Sequence, residues 1–267
     1  MKKILSISLI IILGASTILL SRNPRVRALL LSKKHFIPSE LDDRVHYEPN
    51  AEQYAKDIAE FLQFAIGKVE QEQFSSFKKS FKVFVFASQE SYNKHFGDPP
   101  GSPSRGGSLF GNIYISPRAF NFEEQDTHKE TLIHELSHLN LRLALGLSSI
   151  FGNIPFWFRE GLADNVANTG GELVSDSMAI IAFRTGNSFI PDEKGRFLTP
   201  IPDYGMQWPM FKKQGKMFVR YLRNDCPGSF RKLLIAIYDG DSFSTSFSKF
   251  FGKNVIEMWQ QFIDSTF

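Results

Sequence analysis

The stretch Thr131-Leu132-Ile133-His134-Glu135-Leu136-Ser137-His138-Leu139 carries the most informative pattern in this sequence. Its residues predict a helix, in which His134 and His138 lie one above the other on a single face, because positions i and i+4 are neighbours. Two imidazole nitrogens presented in this way can share one metal ion. Glu135 lies one step round the helix, where its carboxylate can reach a water molecule at the same ion and act as general base. The pattern alone also arises by chance, so its meaning depends on the sequence that follows.

A third metal ligand is expected on the next helix, and Pro155 is well placed to begin one. Glu160 lies on that helix, 22 residues after His138 (160 − 138), which leaves room for a turn and an antiparallel return. Asp164, four residues further on, shares the face of Glu160 and could accept a hydrogen bond from a ligand histidine. The sequence therefore predicts a zinc site with His134, His138 and Glu160 as ligands and Asp164 as the partner of a ligand.

Length and composition are those of a folded protein. The 267 residues are 42% hydrophobic and 14% aromatic, enough to bury a full core. The net charge of +3 comes from 31 basic and 28 acidic residues without a long block of one sign, which argues against nucleic acid as a partner. The single cysteine, Cys226, excludes an intramolecular disulfide and a thiolate zinc site. The many phenylalanines are expected in the core.

The N-terminus carries a targeting segment, residues 1–21. Lys2 and Lys3 precede an uncharged run from Ile4 to Ser21, 18 residues (21 − 4 + 1), which is long enough to cross a bilayer core of about 30 Å. It is a signal peptide or a signal anchor. Because no small-x-small cleavage site follows the run, we favour an uncleaved anchor. The membrane is therefore an expected partner through this segment.

The orientation of this segment in the membrane is left open by the sequence. More basic residues follow the run than precede it, which by the positive-inside rule favours a cytoplasmic body. The short segment with two lysines before the run is typical of a bacterial export signal instead. We expect a membrane-anchored protein of the bacterial cell envelope with an extracytoplasmic domain. The basic residues after the run are Arg22, Arg25, Arg27, Lys33 and Lys34.

The rest of the chain is predicted to form a linker and one domain. Residues 22–41 have the prolines and basic residues of a juxtamembrane linker, and the domain is expected to occupy residues 42–267. The Gly- and Pro-rich segment 98–108 predicts an irregular loop. The histidine-bearing helix is expected to end at Gly146.

Two segments together resemble a known family. His134-Glu135-Leu136-Ser137-His138, followed by Pro155-Phe156-Trp157-Phe158-Arg159-Glu160-Gly161-Leu162-Ala163, resembles the gluzincins, specifically the small peptidase MA-like domains with a W-x-x-E-G-L-A helix. The resemblance implies an α+β, zincin-like fold with a small mixed β-sheet over the H-E-x-x-H helix and a mainly helical C-terminal half. It also implies a zinc-dependent peptidase. Leu141 and Ala144 stand where the metzincins require a glycine and a third histidine.

The resemblance further implies a tyrosine or histidine, C-terminal to the third ligand, that stabilises the oxyanion of the reaction. No histidine follows His138. Tyr204 is the best candidate by position, although Tyr221 and Tyr238 remain alternatives and all three have credible roles as core or rim aromatics. Relatives often carry a tyrosine just before the helix that contains Phe218-Val219-Arg220-Tyr221-Leu222, where this chain reads Phe211-Lys212-Lys213.

The expected function is hydrolysis of a peptide bond in a peptide or protein substrate. Zinc would activate a water molecule, and Glu135 would take its proton and return it to the leaving amine. The strand that contains Gly111, Asn112 and Ile113 is expected at a sheet edge, where an extended substrate could pair with it. Two alternatives remain: a membrane-anchored zinc-binding module that recognises a protein partner without catalysis, and a structural envelope protein in which the motif is incidental.

Overall fold

The computed structural model describes residues 23–121, 125–170, 173–195 and 205–266. Its fold is α+β, with a small five-stranded mixed sheet. The helices are α1 (Pro24–Leu29), α2 (Glu52–Gln73), α3 (Gln89–Phe96), α4 (His128–Asn153), α5 (Phe156–Ala167), α6 (Asp176–Arg184), α7 (Trp208–Asp225), α8 (Pro227–Tyr238), α9 (Phe243–Phe251) and α10 (Val255–Thr266). The strands are β1 (Ile37–Pro38), β2 (Val45–Tyr47), β3 (Val83–Val85), β4 (Gly106–Leu109) and β5 (Asn112–Ile115).

These elements divide between two compact units. The first unit comprises the described residues of Met1–Glu60 and Lys82–His128, and it contains the sheet. The second comprises the described residues of Phe61–Phe81 and Lys129–Phe267. Its regular elements, within the part of the chain that the structure describes, are all helices.

The sheet of the first unit has the order β1-β2-β3-β5-β4. Strands β2, β3 and β5 are parallel, and the outer strands β1 and β4 pair antiparallel with their neighbours. All three residues of β3 are buried, as expected for a parallel strand that is covered on both faces. One aromatic cluster forms part of the core of this unit. Its members are Phe36, Phe84, Phe86, Tyr92, Phe96 and Tyr114.

The residues that were predicted to form a linker belong to the first unit. Phe36 is only 6% exposed and packs edge-on against Phe84 and Phe86. Strand β1 pairs with β2. The chain before the predicted domain start at residue 42 therefore supplies an edge strand and a core aromatic of this unit. The predicted membrane-spanning run from Ile4 to Ser21 lies outside the described residues, among which no helix is long and apolar enough to cross a membrane.

Part of the segment predicted as an irregular loop is a strand, β4. At Gly107 an added Cβ atom would lie 2.2 Å from the Phe96 ring, so the ring packs directly on the strand where no side chain intervenes. Glycine therefore marks a close approach here rather than irregular structure. Phe110 and Gly111 both have positive φ, 48° and 79°, and form the two-residue loop between β4 and β5.

Strand β5 is not at the edge of the sheet, in contrast to the prediction for Gly111, Asn112 and Ile113. It pairs with β3 on one side and with β4 on the other. Its backbone groups are therefore already used within the sheet, and β4 occupies that edge. The prediction failed because β4 lies in a glycine-rich segment whose sequence does not resemble a strand.

In the second unit, helices α5 and α7 pack at very short range. A Cβ atom at Gly161 of α5 would lie 2.6 Å from the carbonyl oxygen of Gly215 of α7. Buried aromatic side chains also pack against one another in this unit, as predicted for the phenylalanine-rich region. Trp157 anchors them, with its Nε1 donating to the carbonyl oxygen of Asp192 at 2.8 Å. Other members are Phe158, Phe218, Phe243 and Trp259.

Helix α4 is interrupted at the glycine that was predicted to end it. Gly146 has φ 76° and ψ 162°, outside the helical region, and the chain resumes a helical path to Asn153. The histidine-bearing part of α4 therefore ends where the sequence indicated.

Candidate metal centre

Helices α4 and α5 bring together the three side chains that were predicted as metal ligands. The Nε2 atoms of His134 and His138 lie 3.1 Å apart. Glu160 Oε1 lies 3.3 Å from His138 Nε2, and Glu160 Oε2 lies 3.7 Å from His134 Nε2. All three side chains belong to the second unit and are largely buried. Because one ligand atom from each residue lies within 4.8 Å of the others, this group could hold a metal ion.

A buried polar network connects α4 to α2 and α8. Ser137 and Asn140, both fully buried, contact Gln73 near the end of α2. Gln73 Nε2 donates to Ser137 Oγ, and its Oε1 accepts from Asn140 Nδ2 at 3.2 Å and from the Tyr238 hydroxyl at 2.6 Å. A buried amide with satisfied hydrogen bonds fixes one arrangement of its neighbours, so the network sets the position of the histidine-bearing helix.

Asp164 contacts His134 from behind the metal group, as its i+4 spacing from Glu160 suggested. Its Oδ1 lies 2.9 Å from His134 Nδ1, and its side chain has no solvent exposure. A proton on Nδ1 would leave the lone pair of Nε2 available to a metal ion. Gly170 makes room for this carboxylate, since a Cβ atom there would lie 2.2 Å from Asp164 Oδ2.

Glu135 lies on α4 next to His134 and is 9% exposed. Its negative charge is close enough to contribute to the pKa of His134. Burial and the charge of Lys212 lower the pKa of His134, but Asp164 and Glu135 outweigh them and raise it above its ordinary value. The two acidic residues therefore favour a basic imidazole at this position.

Glu160 is held in its charged form by its neighbours. Burial raises the pKa of the Glu160 carboxyl, but the charges of His138, Lys212 and His134, with a hydrogen bond from His138, hold that pKa well below its ordinary value. A carboxylate that stays charged while buried beside two imidazoles is the form that binds a metal ion.

Lys212 of α7 also lies at this centre, and the sequence analysis did not assign it a role. Its Nζ lies 3.1 Å from Asp164 Oδ1 and 3.9 Å from Glu160 Oε2, and its side chain is 15% exposed. One signal in the sequence points to it: Lys212 precedes Gly215 by one helical turn, on the face of α7 that contacts α5. The sequence alone does not show which face of α7 contacts α5, so the role of Lys212 can be inferred only from the packing of the two helices.

None of the three tyrosines considered as oxyanion-stabilising residues is seen at the candidate metal site in the part of the chain that the structure describes. Tyr204 lies outside the described residues. The Tyr238 hydroxyl is used in the bond to Gln73, and the Tyr221 hydroxyl accepts from Gln261 Nε2 at 2.9 Å. Neither Tyr221 nor Tyr238 is placed at the metal group by these contacts.

The predicted substrate-binding residues Gly111, Asn112 and Ile113 belong to the first unit, whereas the three candidate ligands belong to the second. Comparison with protein-family models gives no match for this chain, and comparison with curated proteins gives none either.

Proposed function

We propose that this chain is a zinc-dependent peptidase with a zincin-like fold. The observation that carries the proposal is the group formed by His134 Nε2, His138 Nε2 and the Glu160 carboxylate, in which one ligand atom from each residue lies within 4.8 Å of the others. Bonds of about 2.0–2.2 Å in a tetrahedral zinc site place neighbouring ligand atoms roughly 3.3–3.6 Å apart. The two histidine nitrogens are 3.1 Å apart, and the carboxylate presents Oε1 at 3.3 Å from His138 and Oε2 at 3.7 Å from His134, so these separations lie close to this range. The resemblance to the gluzincins supports a peptide as the substrate class.

The donor set favours a catalytic role for the metal over a structural one. Structural zinc sites are usually closed by four protein ligands, often cysteines, whereas catalytic sites use three and keep a fourth position open. Bound zinc would polarise the carbonyl of the substrate and lower the pKa of a water molecule. Asp164 orients His134, and Glu160 supplies a charged oxygen. Glu135 is the general base, which takes a proton from water and delivers it to the leaving nitrogen.

The test compares the wild type with Glu135→Gln and His134→Ala, each as the full-length chain in detergent. Zinc content is measured first, and hydrolysis of casein and of a peptide library is measured next. We expect about one zinc per chain in the wild type and in Glu135→Gln, and a large loss of zinc in His134→Ala. Hydrolysis should fall about 10²–10⁴-fold in Glu135→Gln, because the proton-transfer step is lost while the metal remains.

The opposite result identifies one of the alternatives. A wild type that holds zinc and cleaves no peptide would favour the module that binds a protein partner, and Glu135→Gln should then leave partner binding unchanged. A wild type without stoichiometric zinc would favour a structural protein. Both outcomes contradict the peptidase proposal.

A further inference from the structure

We propose that Lys212 is a catalytic residue of this centre, whose ammonium group stabilises the negative charge that develops on the oxygen of the attacked carbonyl. The proposal rests on the peptidase function and assigns to a lysine of α7 the role that the sequence analysis had sought among the tyrosines. It starts from the position of the ammonium group, which lies 3.1 Å from Asp164 Oδ1 and 3.9 Å from Glu160 Oε2.

The packing of α5 against α7 fixes this position. Gly161 and Gly215 bring the two helices into backbone contact. Glu160 precedes Gly161 by one residue, and Lys212 precedes Gly215 by one turn, so both side chains leave the contact on the same side. The ammonium group therefore reaches the carboxylates of α5 from a side chain that is only 15% exposed. A charge held in advance at the place where the transition state develops its own charge stabilises that state without further reorganisation.

The two contacts of Lys212 differ in strength. At 3.1 Å the ammonium group forms a close ion pair with Asp164, a side chain without solvent exposure, and this contact anchors it. At 3.9 Å the approach to Glu160 is longer than a hydrogen bond. We expect Lys212 to keep the bond to Asp164 and to exchange the longer contact for the carbonyl oxygen of a bound substrate.

The reaction step balances without an additional reactant. The oxygen of water forms a bond to the carbonyl carbon while the π electrons of the carbonyl move onto its oxygen, and Glu135 takes the proton that the water loses. The electron pair then returns as the bond between carbon and nitrogen breaks, and Glu135 delivers the proton to the leaving nitrogen. Lys212 retains its protons throughout and acts through its positive charge.

A purely structural role is the competing explanation, in which Lys212 only compensates the buried charge of Asp164. Three substitutions at Lys212 separate these roles. Lys212→Met removes both the charge and the N–H donors. Lys212→Gln keeps an N–H donor for Asp164 but removes the charge, whereas Lys212→Arg keeps the charge. Lys213→Met is the matched control, since Lys213 is the neighbouring lysine on α7 and pairs with Asp176 of α6 at 2.5 Å instead.

The experiment uses the full-length chain in detergent, with one zinc verified in each variant. We expect Lys212→Met and Lys212→Gln to lower kcat about 10²–10³-fold with little change in KM, as for the loss of other oxyanion donors. Lys212→Arg should recover a substantial part of kcat. Lys213→Met should remain close to the wild type.

A second readout does not depend on turnover. Inorganic phosphate is a small tetrahedral anion, and its Kd for the zinc-loaded protein can be measured by calorimetry at constant ionic strength. This Kd should rise about tenfold or more in Lys212→Met and Lys212→Gln, because a nearby positive charge is lost, and it should stay within about twofold in Lys213→Met.

The outcomes distinguish the two proposals. If Lys212→Gln keeps the kcat and the phosphate affinity of an active wild type, the assignment of Lys212 is wrong and the peptidase function stands. If the zinc-loaded wild type does not bind phosphate, the assignment is also wrong. If the zinc-loaded wild type hydrolyses no peptide, the proposed function fails and the catalytic role of Lys212 fails with it.

Discussion

Asp164 contacts two side chains of the candidate metal centre. Its carboxylate is fully buried, and its Oδ1 lies within hydrogen-bonding distance of both His134 Nδ1 and Lys212 Nζ. An unpaired charge in this position would cost several kcal/mol, whereas paired it links the ligand histidine to the ammonium group. The i+4 spacing of Glu160 and Asp164 made the first partner predictable from sequence. The second depends on a residue 48 positions away (212 − 164).

Gly170→Ala should disturb this carboxylate without changing any polar group. The new Cβ atom would meet Asp164 Oδ2 at 2.2 Å, and the backbone φ of 86° disfavours a side chain. Asp164 must then shift, so we expect zinc affinity to fall about 10–100-fold, as for the loss of a partner of a ligand histidine. Zinc affinity is measured by competition with a chelator.

Gly186→Ala is the control for the effect of a positive φ without a steric contact of the added Cβ atom. Gly186 has a similar φ of 74°, but no atom lies within 4 Å of its added Cβ. It should lower stability by about 1 kcal/mol and leave zinc affinity unchanged. Equal zinc affinity in the two variants would show that the contact between Gly170 and Asp164 does not position the carboxylate.

Helices α5 and α7 form the frame of the centre, since one carries Glu160 and Asp164 and the other carries Lys212. Gly161→Ala should push them apart, because the added Cβ atom would lie 2.6 Å from a backbone oxygen that cannot rotate away. We expect a loss of about 1–3 kcal/mol in the free energy of unfolding and weaker zinc binding. Urea denaturation followed by tryptophan fluorescence measures the first, since the three tryptophans all lie in the second unit.

Gly67→Ala provides the comparison for a helical glycine. Gly67 lies in α2 with nothing within 4 Å of its added Cβ, so this change should stabilise the protein by up to about 1 kcal/mol through helix propensity. If Gly161→Ala were equally stabilising, the close approach of α5 and α7 would not be a constraint on the fold.

Local features of these helices could be predicted from the sequence, whereas the contacts between them could not. The histidine spacing, the break at Gly146 and the helix after Pro155 are local patterns, and each appears in the structure where the sequence placed it. Lys212 could not be assigned in the same way, because its contacts depend on how α7 packs on α5. Strand β4 was missed for a related reason: its glycines accommodate the ring of Phe96, which lies in another element.

Acidification should lower the folding stability of the first unit. Burial lowers the pKa of His95, and burial together with the charge of Lys82 lowers the pKa of His46. The unfolded chain, with a histidine pKa of about 6.5, therefore binds more protons than the folded one as pH falls below that value. This stabilisation is present above about pH 6.5 and is lost as pH falls through the folded pKa.

Hydrogen exchange of the β3 amides at two pH values measures this effect, because β3 lies in the centre of the sheet. Protection should decrease from pH 7.5 to pH 5.5 after correction for the intrinsic exchange rate. Changing His95 to Phe should reduce the dependence, because a buried group that gains a proton in the unfolded state is removed. A His35→Phe variant serves as the comparison, since the His35 side chain is 45% exposed. An equal reduction in both variants would contradict the assignment to His95.

The last prediction concerns the N-terminal region, where the sequence placed an anchor and then a linker. We expect the full-length chain to fractionate with membranes and to resist extraction by high salt, because the run from Ile4 to Ser21 is long enough to span a bilayer.

A chain that begins at Asn23 keeps α1, β1 and Phe36 and should be soluble and folded. A chain that begins at Asp42 lacks all three. Removal of the buried Phe36 alone should cost about 3–5 kcal/mol, so this shorter chain should unfold at much lower urea concentration or aggregate. Sedimentation with membranes and urea denaturation of the two shortened chains measure these effects.

Equal stability of the two shortened chains would mean that residues 23–41 are a linker after all. If the protein expressed from the full-length sequence is recovered in the soluble fraction with an N-terminus beyond Ser21, the run is a cleaved signal peptide.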